Sequence, residues 1–121
     1  KNLKVLGVTI LTSLNKKSLK EIGYNKSIKT LVSKQADLAK RSGCDGLVCS
    51  AKEAKFLRKR YKNLFIVTPG IRLPGDKTND QKRVMTPKDA FNNKASAIVL
   101  GRSLTSSKIK DNLKRLIDHL N

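Results

Sequence analysis

Two short elements of this sequence, each containing a glycine and an arginine, have the chemistry of an anion-binding site. The first is Pro69-Gly70-Ile71-Arg72 and the second is Gly101-Arg102. Glycine lets a ligand approach the backbone closely, and the planar guanidinium group of arginine presents donors that suit a phosphate. Either arginine taken alone is more readily explained as a solvated surface residue. The prediction of a phosphate site therefore depends on a fold that brings both elements together.

A long polar segment, residues 70–86, begins within the first of these elements and connects the third predicted strand to the helix that follows it. Loops of this length inside a compact domain are uncommon and often act as lids over a ligand. The segment contains Asp80-Gln81-Lys82-Arg83, and the amide of Gln81 can donate a hydrogen bond to a phosphate oxygen once the loop closes. A flexible charged loop without a ligand explains the same composition, so loop length alone leaves both interpretations open.

Two hydroxyl groups and two thiols complete the set of residues that could do chemistry. Thr12 and Ser13 follow the first apolar run, where they can bind the polar edge of a ligand or cap a short helical turn at residues 17–22. Cys49 lies within an apolar run and is predicted to be a buried, unreactive thiol. Because neither Cys44 nor Cys49 has a histidine nearby in the sequence, no metal site is predicted.

These candidates follow four short apolar runs that predict the strands of a parallel sheet. The runs are rich in β-branched residues and almost continuously apolar, which suits strands covered on both faces: residues 5–10, 46–49, 64–68 and 97–100. Amphipathic segments predict helices over residues 27–41 and 107–120, and two further helices that begin near Ser50 and Thr86. In such folds the ligand binds at the carboxyl ends of the strands.

The resulting βαβαβαβα order predicts an α/β protein with a single domain over residues 1–121. Four strand–helix units can form an open sheet or part of a closed (β/α)8 TIM barrel. Because a complete barrel typically needs about 250 residues, this chain would supply about half of one. In barrels, phosphate is often held by the loops after the last two strands, which here would carry Arg72 and Gly101-Arg102.

Composition limits the classes of function that need to be considered. The chain has 121 residues and a formal net charge of +18, which would attract anionic substrates. The lysines are scattered, and two Tyr and three Phe are too few for a base-stacking platform, so nucleic-acid binding is the less favoured use of this charge. No run of 18 apolar residues predicts a membrane span. Two cysteines and the lack of a signal-peptide pattern favour the cytoplasm.

Taken together, the strand ends resemble those of orotidine 5'-phosphate decarboxylases of the bacterial type. The likeness runs in order through Val8-Thr9-Ile10-Leu11-Thr12-Ser13-Leu14, Asp45-Gly46-Leu47-Val48-Cys49-Ser50, Val67-Thr68-Pro69-Gly70-Ile71-Arg72, Asp80-Gln81-Lys82-Arg83-Val84-Met85-Thr86-Pro87 and Val99-Leu100-Gly101-Arg102. It implies a cytosolic (β/α)8 barrel, usually a homodimer, that converts orotidine 5'-monophosphate to UMP without a metal or cofactor. It also implies that this chain forms strands five to eight.

The resemblance further implies roles for individual residues. Thr12 would contact the pyrimidine, whereas Arg72, Gln81, Gly101 and Arg102 would hold the 5'-phosphate. The family's catalytic Asp-x-Lys-x-x-Asp motif is missing, because the sequence that begins at Asp80 ends with a methionine at the closing position. We therefore expect no catalytic residue in this chain. The catalytic groups would belong to an amino-terminal half that the sequence lacks, so the chain alone would bind phosphate weakly and would not turn over.

Three alternatives remain open. The chain could belong to another phosphate-binding barrel enzyme, of the pentulose-phosphate epimerase or hexulose-phosphate synthase type, although such an enzyme would not be expected to carry this loop sequence. It could be a basic nucleic-acid-binding module, or a non-catalytic remnant of a barrel. Binding of UMP in preference to sugar phosphates would separate the first alternative from the favoured interpretation.

Overall fold

The computed structural model describes residues 3–121, and in this part of the chain it contains one four-stranded parallel sheet. The strands are paired in chain order, β1–β2–β3–β4, so that β1 and β4 form the two edges. Their bounds are Leu6–Val8 for β1, Gly46–Val48 for β2, Phe65–Thr68 for β3 and Ala97–Ile98 for β4. The four predicted strands are therefore confirmed, in the predicted parallel arrangement.

Each strand is shorter than its apolar run, although the hydrogen bonding continues beyond the assigned ends. The backbone amide of Thr9 donates to the carbonyl of Val48 at 3.0 Å, and that of Val99 donates to Thr68 at 2.9 Å. The apolar residues beyond the strand ends thus still belong to the edge of the sheet where the loops begin. This edge, formed by the carboxyl ends of the strands, is the one expected to bind ligands.

Six helices connect or follow the strands in residues 3–121. Their bounds are Lys16–Glu21 (α1), Ile28–Arg41 (α2), Ala51–Arg60 (α3), Pro87–Asn92 (α4), Arg102–Thr105 (α5) and Ile109–Leu120 (α6). The predicted helix starts are confirmed by their capping interactions. The Ser27 hydroxyl accepts from the Thr30 amide at 3.1 Å, and the Ser50 amide donates to the Glu53 carboxylate at 2.9 Å. Such caps satisfy amide groups that lack a partner within the helix.

Two local predictions were wrong, and one short helix was missed. Asn15, and neither Thr12 nor Ser13, caps α1, because its side-chain oxygen accepts from the Ser18 amide at 2.9 Å. The last helix begins at Ile109 rather than at residue 107, since Ser107 has a φ of +69°, in the left-handed region that a right-handed helix cannot include. The short helix α5 was not predicted from the sequence.

The core lies on one face of the sheet, where α2 and α3 pack against β2 and β3. It contains the buried residues Val32, Ala36, Leu47, Cys49, Ala54, Leu57, Leu64 and Ile66. Because side chains alternate along a strand, Val8 and Phe65 lie on the other face, and they are 59% and 46% exposed. In a closed barrel this second face would line the interior.

Helix α6 also presents an uncovered apolar stripe. Ile109, Leu113 and Ile117 recur at the spacing of one helix face, and all three are exposed. The described residue that α6 buries is the polar Asn112, whose amide group donates to the carbonyls of Leu104 and Ser106. The helix is thus fixed to α5 by hydrogen bonds, and its apolar face points away from the core.

At the amino ends of the strands, the guanidinium group of Arg58 ties together several loops. It donates to the carbonyls of Lys62 and Leu64 at 2.7 and 2.8 Å and to the Ser96 hydroxyl at 2.8 Å. Lys62 and Leu64 precede β3, and Ser96 precedes β4. This one side chain therefore fixes the starts of two neighbouring strands.

Candidate functional site

The two arginines predicted to bind phosphate lie at the carboxyl ends of neighbouring strands. Arg72 is the fourth residue after β3, and Arg102 follows β4 as the first residue of α5. Because β3 and β4 are parallel neighbours, both loops leave the sheet at the same edge. Arg72 and Arg102 line one cavity of about 240 Å³, together with Asp76, Lys77, Asn79, Ser103 and Ser106. The sheet topology thus brings the two arginine elements together, as the sequence predicted.

Positive charge dominates this cavity. Arg72, Lys77 and Arg102 contribute cationic side chains, whereas the one acidic lining residue, Asp76, forms an ion pair with Arg115 at 2.8 Å. Burial acts to raise the pKa of the Asp76 carboxyl, but hydrogen bonds from Ser103 and Arg115 outweigh it and leave that pKa below its ordinary value. Asp76 is therefore ionised and largely neutralised by its partner. The remaining positive charge suits an anion.

Arg72 is held firmly by the backbone of its own loop. The side chain is buried, and it donates to the carbonyls of Ile71 at 2.9 Å and Lys77 at 3.3 Å. Its amide donates to the carbonyl of Met85 at 3.1 Å, which closes the base of the long loop. A guanidinium group fixed in this way is a preorganised donor, because little conformational entropy remains to be lost when an anion binds.

Arg102 has a different setting, since it is about half exposed and forms an ion pair with Asp80 of the long loop. This hydrogen bond lowers the pKa of the Asp80 carboxyl. The second oxygen of the same carboxylate accepts from the side-chain amide of Gln81 at 3.4 Å. Gln81 is therefore adjacent to the cavity and connected to Arg102 through Asp80, although it does not line the cavity itself.

Thr12 lies beneath the long loop, where it holds Gln81. Its buried hydroxyl donates to the side-chain oxygen of Gln81, and its carbonyl accepts from the amides of Lys82 and Arg83 at 3.1 and 3.2 Å. Gly70 packs directly on Thr12. A Cβ at this glycine would approach the Thr12 hydroxyl to 2.9 Å, and its φ of +71° also favours glycine. The contact therefore fixes the loop that follows β3 against the loop that follows β1.

Gly101 differs from the other predicted residues because it offers backbone alone. It is exposed and precedes α5, and its carbonyl accepts from the amides of Leu104 and Thr105. Among the described residues, and apart from Gly101 and its two chain neighbours, no heavy atom lies within 4 Å of the position that a Cβ would occupy. The backbone beside Arg102 is thus accessible, although Gly101 does not line the cavity.

A buried ion pair that the sequence did not predict anchors the end of the long loop. The guanidinium group of Arg83 binds the carboxylate of Glu53, in the first turn of α3, and both side chains are buried. Arg83 also donates to the carbonyls of Ile10 and Leu11 at 2.8 and 3.0 Å. This single side chain therefore joins the loop to α3 and to the end of β1. The spacing of Ser50 and Glu53 predicts a capping box, which explains the glutamate locally. It gives no indication that Glu53 also binds Arg83.

The thiols and carboxylates suggest no other reactive centre in residues 3–121. Cys49 is buried, and burial together with the nearby Glu53 carboxylate raises the pKa of its thiol to about 12. Over the same residues, no group of three or more His, Cys, Asp and Glu side chains is arranged to hold a metal ion. No helix in this range is long and apolar enough to span a membrane. The arginine cavity is therefore the strongest candidate for a functional site.

Comparison with known proteins points to one enzyme family. The model of the orotidine 5'-phosphate decarboxylase / HUMPS family matches residues 1–115. An orotidine 5'-phosphate decarboxylase from Coxiella burnetii is 49% identical over 113 residues, covering 93% of this chain and 47% of that relative. One from Erythrobacter litoralis is 40% identical over 117 residues, covering 97% and 52%. The chain thus spans about half the length of the curated relatives it matches.

Solved structures agree with the sequence relatives. The crystal structure of orotidine 5'-phosphate decarboxylase from Lactobacillus acidophilus has a TM-score of 0.74 and 36% identity, covering 98% of this chain and 49% of that one. The enzyme of the same name from Pyrococcus horikoshii has a TM-score of 0.65 and 18% identity, a likeness of fold. Both are TIM barrels, so the four-stranded sheet corresponds to part of a (β/α)8 barrel.

Proposed function

Because this chain belongs to the orotidine 5'-phosphate decarboxylase / HUMPS family, we propose that it forms the phosphate-binding half of an enzyme that decarboxylates orotidine 5'-monophosphate to UMP. The observation that carries this proposal is the pair of arginines, Arg72 and Arg102, on one positively charged cavity at the carboxyl ends of neighbouring strands. A phosphate monoester carries close to two negative charges at neutral pH and accepts several hydrogen bonds. Two guanidinium groups with a neighbouring lysine match both properties.

In this proposal the residues contact different parts of the ligand. Arg72 and Arg102 bind the 5'-phosphate, with the accessible backbone of Gly101 beside them. The side-chain amide of Gln81 turns from Asp80 to a phosphate oxygen, while its oxygen keeps the hydrogen bond from Thr12. Thr12 then lies next to the pyrimidine. Phosphate binding would thus hold the loop closed over the site, so that binding energy from the remote phosphate supports chemistry at the ring.

The groups that break the carbon–carbon bond are proposed to lie in the other half of the barrel. Residues 1–121 contain no Asp-x-Lys-x-x-Asp motif, and the chain spans about half of the relatives it matches. The chain would then be one half of a single barrel domain. The complete enzyme would work in the cytoplasm as a homodimer, without metal or cofactor and without nucleic acid or membrane as partners.

Ligand preference tests the proposal. The thermal stability of the 121-residue chain would be measured with UMP, 6-aza-UMP and pentose and hexulose phosphates. We expect UMP and its analogue to stabilise the chain more than the sugar phosphates, because the proposed contact of Thr12 is with the pyrimidine, which the sugar phosphates lack. Preference for a sugar phosphate would indicate instead an epimerase or hexulose-phosphate synthase. Steeply salt-dependent binding of DNA that UMP does not displace would indicate the nucleic-acid module.

A matched pair of variants identifies the site. Arg102→Gln removes one guanidinium group from the cavity, and we expect it to weaken UMP binding about tenfold or more, since hydrogen bonds to charged groups contribute about 1.5–3 kcal/mol. Arg41→Gln is the control, because it makes the same change at an exposed position at the end of α2. Equal UMP affinity in both variants would contradict the assignment of the phosphate to this cavity.

A further inference from the structure

One carboxylate engages two of the residues proposed to bind phosphate. Asp80 forms an ion pair with Arg102 through one oxygen and accepts from the amide of Gln81 through the other. Both partners are donors that a phosphate monoester would also use. In the structure, the carboxylate of Asp80 therefore occupies hydrogen-bonding positions that the proposed ligand needs.

We propose that Asp80 is an internal competitor for the phosphate site, whose carboxylate must leave Arg102 and Gln81 before a phosphate monoester binds them. This inference rests on the proposed function, because it concerns the same cavity. It assigns Asp80 the opposite effect from its neighbours. Although it belongs to the same loop as Gln81, it lowers the affinity for the ligand.

The energetics favour such an exchange. The Asp80–Arg102 pair is exposed, with about half of each side chain open to solvent, and exposed ion pairs are weak because water screens them. A monoester brings nearly twice the charge of a carboxylate and more acceptor oxygens, so it can replace Asp80 on both donors at once. Before a ligand binds, Asp80 would keep the side chains of Arg102 and Gln81 in place, and a phosphate monoester could still displace it.

The position of Asp80 in the chain couples this exchange to Gln81. The two residues are adjacent, and the backbone that follows is fixed, because the amides of Lys82 and Arg83 donate to the carbonyl of Thr12. Release of the Asp80 carboxylate therefore frees the Gln81 amide as well. One exchange makes both donors available, whereas the contact between Gln81 and Thr12 can remain.

Asp80→Asn tests the inference by UMP titration of the 121-residue chain, measured by calorimetry at constant ionic strength. Asparagine keeps the size of the side chain but removes the charge, so we expect UMP to bind about two- to fivefold more tightly, as for loss of an exposed ion pair. Asp118→Asn is the control, because it makes the same charge change at an exposed site in α6. Unchanged or weaker UMP binding by Asp80→Asn, or an equal gain in the control, would overturn the inference.

A second background separates competition from simple repulsion. In Arg102→Gln the proposed competitor has lost its main partner, so adding Asp80→Asn should give less than half of the affinity gain seen in the wild-type background. The same gain in both backgrounds would show that the Asp80 carboxylate weakens UMP binding only by repelling the phosphate, and would refute competition for Arg102. If neither the wild-type chain nor Asp80→Asn binds UMP, the proposed function itself fails. Binding by the wild-type chain without a gain in Asp80→Asn refutes the competition alone.

Discussion

The contrast between the two thiols of this chain shows how burial sets the chemistry of a residue. Cys49 lies in the core at the end of β2, whereas Cys44 is partly exposed. Removal from water disfavours the thiolate of Cys49 and raises its pKa to about 12, and the carboxylate of Glu53 acts in the same direction. Because the thiolate is the reactive form, Cys49 should be inert in the folded chain at ordinary pH.

Alkylation with iodoacetamide at pH 8 tests this prediction. We expect mass spectrometry to find one modified cysteine, Cys44, in the folded chain and two after denaturation. The variant Cys44→Ser should remain unmodified until it unfolds, and raising the pH to about 9 should not change this, since that pH is still far below the pKa of Cys49. Rapid modification of Cys49 in the native variant would contradict its burial.

For single residues, the sequence predicted which side chains lie at the candidate site better than it predicted their hydrogen-bond partners. Arg72 and Arg102 could be predicted because both follow strands, and parallel strands bring such positions to one edge. The partner of Thr12 could not be predicted, because Gln81 lies 69 residues away and only the folded loop brings the two together. The same holds for Arg83 and Glu53, which are 30 residues apart. Side-chain pairing over such separations depends on loop conformation, which periodicity does not encode.

Among the elements, the long loop depends on the buried pair of Arg83 and Glu53. Arg83→Met leaves the Glu53 carboxylate buried without its partner, so we expect a loss of about 3–5 kcal/mol in the free energy of unfolding. The double variant Glu53→Gln/Arg83→Met removes both charges and keeps a side chain that can serve the capping box, so it should recover most of that loss. Urea denaturation measures all three proteins.

The double variant also shows whether this pair positions the loop. Without Arg83, the loop loses its hydrogen bonds to the carbonyls of Ile10 and Leu11. We therefore expect trypsin to cleave after Lys77 or Lys82 faster in the double variant than in the wild-type chain, even where the two have similar unfolding free energies. If the double variant unfolds as easily as Arg83→Met, or resists trypsin like the wild type, the anchoring role is wrong.

Helices and strands were predicted where a local signal exists. The starts of α2, α3 and α4 follow from serine and threonine caps, and the Gly43 stop after α2 has the expected positive φ of +81°. By contrast, α5 has only four residues and no side-chain cap. It lies where the chain leaves the sheet edge after β4. No periodic pattern could identify so short an element.

For the whole molecule, the sequence predicted half of a barrel. The main consequence of an incomplete barrel is that apolar surface stays exposed to solvent. The edges β1 and β4, the second face of the sheet and the stripe on α6 are open in the described chain. Such surfaces favour association, which the net charge of +18 opposes. We expect light scattering of the 121-residue chain to show oligomers that grow as salt screens this repulsion.

Ile117→Gln provides a structural control for that measurement. It replaces one exposed apolar side chain in the middle of the α6 stripe by a polar one, and α6 does not need Ile117 for its contacts with α5. We therefore expect this variant to show less association than the wild-type chain at the same salt concentration. A wild-type chain that stays monomeric at high salt would contradict the prediction.

The network around Arg58 has a consequence for how this scaffold tolerates change. Its guanidinium group fixes the starts of β3 and β4, at the opposite rim from Arg72 and Arg102. The contacts of Arg58 thus lie at the opposite end of the same strands from the proposed phosphate site. Substitutions in the loops beside Arg72 and Arg102 would leave these Arg58 contacts intact, so new ligand specificities could arise there without loosening the starts of β3 and β4.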